Sequence, residues 1–95
     1  AHMSAIDDGT NSDYASGGGA PIPVFHAGPL DRTPSLKGGP YSHGRSGIRG
    51  QYGVMDVLDD GGDQICITWT VKNYEGELVY NEIGEIMQYS FCLQL

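Results

Sequence analysis

The stretch DQICITWTV, residues 63–71, most constrains what this chain can become. Its apolar residues recur at every second position. Ile65, Ile67, Trp69 and Val71 fall on one side, and Gln64, Cys66, Thr68 and Thr70 on the other. Successive side chains of a strand point to opposite faces, so this alternation marks a half-buried β-strand and not a helix of period 3.6. The neighbouring segments share the texture. QYGVMDVL (51–58) is rich in β-branched and aromatic residues and runs into DDGG, a strong turn signal. KNYEG (72–76) reads as the next turn and ELVYN (77–81) as a short strand. Beyond Gly84, Met87, Tyr89, Phe91, Leu93 and Leu95 alternate with Gln88, Ser90, Cys92 and Gln94. Glu, Met and Gln also suit a helix over NEIGEIMQ, but alternation carried through to Leu95 favours a strand. The expected fold is all-β: a small antiparallel four-stranded sheet with a long Gly/Pro-rich N-terminal arm.

The chain divides into three parts on this reading. Residues 1–20 open with AHMS, which resembles the remnant of a tag. They continue without apolar period into three consecutive glycines, so they are expected to be a disordered tail outside the fold. Residues 21–50 form a basic arm. Val24 and Phe25 can make a brief edge strand there, because prolines at 21, 23 and 29 bar a central one. Residues 51–95 are the sheet domain. A core drawn from roughly 75 residues is marginal without a staple, a partner or a neighbouring domain. The sheet face bearing Trp69 and Phe91 needs a cover, either the arm or a second domain.

Charge is unevenly spread. The formal charge is −7, yet Arg32, Lys37, Arg45 and Arg49 are four of the five basic residues, and no Asp or Glu lies between Arg32 and Met55. This window holds GGPYSHGRSGIRG (38–50). Its glycines allow backbone amides to converge on one point, and its arginines can fork onto phosphate or carboxylate. His43, Gly44, Arg45, Gly47 and Arg49 are therefore the candidate anion-binding residues. The plainer reading is that these cations neutralise the acidic β-region of the same chain. The stretch lacks the residue order of a P-loop.

Other chemistries find less support. An acidic balance excludes general nucleic-acid binding, and no apolar run is long enough for a membrane span. LDDGGD (58–63) reads as an acidic β-turn, since it lacks the ligand order of a calcium loop. His26 and His43 lie near Ser35, Ser42 and Ser46, but no nucleophile signature surrounds them. No catalytic residue, metal site or cofactor is expected in this chain. Tyr41, Tyr52, Tyr74, Tyr80 and Tyr89 could stack on a sugar ring, whereas Trp69 shares its face with three aliphatic residues and belongs to the core.

Cys66 and Cys92 have no redox-motif or zinc-motif spacing. They are either a disulfide or two reduced thiols. Each sits on the less apolar face of its strand, which favours the disulfide and an oxidising compartment, secreted or periplasmic. In a simple meander the two would lie on non-neighbouring strands, so a bond between them requires a rearranged or closed sheet.

VFHAGPL (24–30), GQYGVMDVLDDG (50–61), the alternating strand and NYEGELV (73–79) together resemble the C-terminal tail of calcineurin-like phosphatases of the PhoD type. In that tail an SGPL-like segment, a YGxVDV-like strand, an alternating strand and an xxGxL turn complete a sheet. His26 stands where that pattern has a small residue. The resemblance implies a parent hydrolase acting on phosphate esters through two metal ions. The GDxH, GNHD and GHxH blocks of that core are absent from this sequence, so the segment alone would be catalytically silent. Its partner would be the remainder of a larger polypeptide, with the basic loop over a phosphate-type anion. Two rival readings are an independent extracellular module binding carbohydrate or protein, and a structural piece packed on another subunit.

Overall fold

A computed structural model of the chain describes residues 3–9, 23–36 and 41–95. Among these residues there are six strands and no helix: β1 (Ser4–Asp7), β2 (Val24–His26), β3 (Arg45–Ser46), β4 (Gln51–Asp59), β5 (Gln64–Asn73) and β6 (Gln88–Gln94). They form two three-stranded antiparallel sheets, ordered β2-β1-β3 and β4-β5-β6. The all-β expectation holds. The single four-stranded sheet does not.

The longer sheet follows the alternation closely. β4 and β5 make a hairpin across the acidic turn, with Met55 opposite Trp69 and Val57 opposite Ile67. β6 pairs on the far side of β5, with Phe91 opposite Ile67 and Tyr89 opposite Trp69. Met55, Val57, Ile65, Ile67, Trp69, Val71, Tyr89, Phe91 and Leu93 thus share one face, as the period of two requires. Across the other face Cys66 is directly opposite Cys92, and their sulfurs are bonded.

The predicted strand 77–81 is where the expectation departs from the structure. ELVYN does not run between β5 and β6. It belongs to a tandem pair of turns, NYEGE (73–77) and NEIGE (81–85), offset by eight residues. In the first, Asn73 Oδ1 accepts from the amides of Glu75 and Glu77, and Gly76 donates to the Asn73 carbonyl. In the second, Asn81 Oδ1 accepts from Ile83 and Glu85, and Gly84 donates to the Asn81 carbonyl. Gly76 and Gly84 both have positive φ, 80° and 85°, which glycine adopts without Cβ conflict. The two turns fold the chain back so compactly that β5 and β6 pair directly. That is why the cysteines, expected on non-neighbouring strands, face each other.

The eight-residue offset also places Val71, Val79 and Met87 together. Val79 donates to the Val71 carbonyl (3.2 Å), Val71 to that of Met87 (3.0 Å), and Met87 to that of Val79 (2.9 Å). This ring of three backbone bonds is the centre of the core, and all three side chains are buried. Ile6 of β1 completes the cluster and is fully buried. Ser4–Asp7 therefore lie inside the fold, contrary to the expectation for residues 1–20, and Met3 beside them is buried too; residues 1–2 and 10–20, like Lys37, are outside the described residues. β1 is the central strand of the smaller sheet, which caps one end of the longer sheet's apolar face. β2 is an edge strand, as its prolines require. Its Phe25 stacks on Trp69 at 5.3 Å between centroids and also meets Tyr89 and Phe91.

The Trp69 ring lies across Gly53. A Cβ there would stand 2.1 Å from the indole, with Phe25 closing the other side. Gly53→Ala is expected to lose at least about 1–3 kcal/mol through overpacking, read as a lower urea midpoint at constant slope. Cys66→Ser/Cys92→Ser opens a covalent loop with a sequence separation of 26. Chain-entropy reasoning sets that loss at about 3–4 kcal/mol, measurable by thermal unfolding of the variant beside the oxidised parent.

Candidate functional site

The described part of the basic loop, residues 41–50, is held by backbone bonds to β1. His43 donates to the Ile6 carbonyl (3.0 Å), and Ile6 donates to that of Gly44 (3.3 Å). Gly44 donates to Tyr41, closing a turn that needs its φ of 75°. Asp7 seals the same corner, its two carboxylate oxygens accepting from Ser42 N–H (2.7 Å) and Gly9 N–H (2.8 Å). Ser42 Oγ accepts from Asp8 N–H and lies 2.9 Å from His43 Nδ1. A serine hydroxyl thus touches an imidazole, but the nearby carboxylate of Asp7 orients backbone amides and not the histidine. The ordering that a Ser–His–Asp site needs is missing from these contacts.

Each candidate anion-binding residue already has a place in the fold. The His43 ring meets the edge of Tyr89 at 4.7 Å. Gly44 lies against Asn81, whose side chain would meet an added Cβ at 2.7 Å. Arg45 Nε is 3.1 Å from Glu82 Oε1 and 3.3 Å from Oε2, and the Arg45 carbonyl accepts from Glu82 N–H. Gly47 lies against Leu36. Arg49 pairs with Asp31 at 2.9 Å. The five residues share one loop, but the two guanidinium groups are drawn to carboxylates from different segments. The Arg45–Glu82 pair joins the loop to the acidic β-region, as the plainer reading of the sequence has it, whereas Asp31, the partner of Arg49, belongs to the arm itself.

Two amide side chains that the sequence reading passed over organise the loop. Buried Gln51 directs Nε2 at the carbonyls of Gly28 (3.2 Å), Ser46 (3.1 Å) and Ile48 (2.6 Å), tying the chain after β2 and the chain after β3 to the start of β4. Asn81 Nδ2 donates to the His43 carbonyl (3.0 Å), fastening the loop to the second turn. The signal that would have found Asn81 is the repeated N-x-x-G-E pattern. Gln51 carries no such signal, since its partners are set by distant parts of the chain.

The remaining candidates are placed simply. Asp59 and Asp60 of the acidic turn accept from the amides of Gly61 and Gly62. Among the described residues no three His, Cys, Asp or Glu side chains gather as a metal site. Trp69 is packed in the aromatic stack, and its buried Nε1 has no hydrogen-bond partner among the described residues. Tyr74 and Tyr80 are exposed. The Tyr74 phenol is pushed above its ordinary pKa by a hydrogen bond to Glu75 and by that carboxylate's charge.

An exposed apolar surface lies apart from the basic loop. Among the described residues, Phe25 covers the part of the long sheet around Trp69, Tyr89 and Phe91. Beyond it Met55 is 51 % exposed, Val57 59 % and Leu93 49 %, all on the same face.

The two turns offer an internal comparison. Asn73→Ala and Asn81→Ala remove the same pair of turn bonds, but only the second also orphans the His43 carbonyl. With about 1 kcal/mol per hydrogen bond, and the His43 carbonyl part-buried, Asn81→Ala should be the costlier by about 1 kcal/mol in chemical denaturation. No protein-family model matches the chain, and no curated protein or solved structure matches it either.

Proposed function

We propose that this chain is the non-catalytic C-terminal β-region of a larger, exported phosphoesterase-like hydrolase, and that it seals against the remainder of that polypeptide. The observation that carries the reading is the uncovered half of the long sheet. A face built of Met55, Val57, Ile65, Ile67 and Leu93 continues past its cap without change of chemistry. Burying a side chain of this size contributes about 1.5–3 kcal/mol, so a second surface laid on this face would add substantially to a small core. The disulfide is compatible with an oxidising compartment. No helix of the described residues is long and apolar enough to cross a membrane.

The basic loop fits beside this role as an anion contact. Both arginine pairs are solvent-accessible, and such pairs are worth about 0–1 kcal/mol. A phosphate dianion can therefore compete for the same guanidinium groups.

Methionine oxidation tests the sealing role. In the isolated chain, dilute peroxide should oxidise exposed Met55 well before fully buried Met87. In the longer parent polypeptide, Met55 should become protected. Equal oxidation of Met55 in both would reject the sealing role and favour the independent module. Phosphate titration tests the loop separately: the amides of Gly44, Arg45, Gly47 and Arg49 should shift, and Glu82→Gln should enlarge the effect by removing the competing carboxylate. Flat shifts in both proteins would remove the anion contact.

A further inference from the structure

We propose that β6 is a homotypic docking edge, along which two copies of this chain join antiparallel about a two-fold axis at Phe91. The hydrogen-bond phase of the ladder comes first. Leu95 N–H donates to the Asp63 carbonyl (2.8 Å), and Val71 N–H to that of Met87 (3.0 Å). Odd-numbered residues of β6 therefore bond to β5, and Ser90, Cys92 and Gln94 turn their amides and carbonyls to the other side, while the Gln88 N–H is taken by the Ile86 carbonyl (3.0 Å). β6 is the outer strand of its sheet, and Ser90, Cys92 and Gln94 are exposed. Their outward backbone groups form a row ready to accept another strand.

Exposed edges are ordinarily guarded by charge, proline or a bulge. The opposite edge of the same sheet is guarded: β4 carries Asp56 and Asp59, and Asp60 follows it. From Ile86 to Leu95 there is no charged side chain and no proline, in a chain whose formal charge is −7. For two such acidic molecules, this is the edge along which they can approach without setting carboxylates against each other. A partner of opposite charge would gain nothing here, because the strand offers no charge to meet.

The strand is also complementary to itself. With Phe91 on the axis, Tyr89 faces the second copy's Leu93, Ser90 faces its Cys92, and Gln88 faces its Gln94. Aromatic meets aliphatic on the apolar face, and on the polar face the facing Gln88 and Gln94 bring no charge together, their side-chain amides donating to Thr70 and Asp63 of their own chain. Ser90, Cys92 and Gln94 supply outward groups in that register, so the contact is isologous and closes. The two long sheets become one, and their apolar faces become continuous through Phe91. This edge lies in the plane of the sheet and is separate from the face that the sealing role uses.

The test is sedimentation of the oxidised chain from about 10 µM to about 1 mM, the range of weak association. The parent should pass from monomer to dimer, and isotope-filtered spectra of mixed labelled and unlabelled chains should show Tyr89–Leu93 contacts between molecules. Ser90→Pro removes an outward N–H and the Thr68 Oγ1–Ser90 Oγ bond (2.8 Å) but no backbone bond of the β5–β6 ladder, and should weaken dimerisation by at least about tenfold, or 1.4 kcal/mol. Ser90→Lys keeps the backbone group and adds charge; it should act alike if Ser90→Pro fails to fold. Met55→Lys should leave the dimer intact. A parent that stays monomeric throughout, a dimer indifferent to both Ser90 variants, or one abolished by Met55→Lys overturns the proposal.

Discussion

The ring of backbone bonds joining Val71, Val79 and Met87 is the constraint on which the rest of the molecule depends. It forces three chain segments to converge at one end of the long sheet and buries three apolar side chains at a point. Only because the intervening residues are gathered there can β6 lie directly beside β5. That adjacency sets the cysteines opposite each other and aligns Tyr89 and Phe91 with Trp69. The smaller sheet then has a surface to close on. Ile6 fills the ring from above, and Phe25 extends the cover as far as Trp69, Tyr89 and Phe91.

How much of this was legible in the sequence follows from the range of the interactions. The faces of β4, β5 and β6 were readable, because alternation over seven to ten residues is a local property of the chain. The edge position of β2 was readable from its prolines. β1 was not: SAID holds two apolar residues in four, too few to display a period, and it is a strand only because Ile6 pairs with Phe25 and Ala5 with Arg45, far along the chain. ELVYN looked like a strand because Leu78, Val79 and Tyr80 have strand propensity. Its fate was decided by the asparagines on either side, whose carboxamide oxygens capture the following amides. The cysteine pairing was left open by the sequence for the same reason, since it depends on which strands end up adjacent.

For the candidate site, charge segregation was legible and its resolution was not. Arg45 and Glu82 stand 37 residues apart in the sequence and Arg49 and Asp31 stand 18 apart, and the fold brings each pair together. The loop is glycine-rich, yet its described backbone is bonded to β1, to the second turn and, through Gln51, to the start of β4. Glycine here serves close approach, as where Gly44 admits the Asn81 side chain. A composition that reads as flexible in isolation can thus supply closely packed backbone once its neighbours are in place.

The bond between Cys66 and Cys92 has a mechanical consequence. A pull applied to the two ends of the chain would travel along β5 as far as Cys66, cross the sulfurs and leave through β6. The intervening residues, which hold both asparagine turns and the centre of the core, would bear none of that tension. The smaller sheet and β4 lie outside the covalent loop and would carry the load, while the residues between the two cysteines would hang from it as a segment of fixed length.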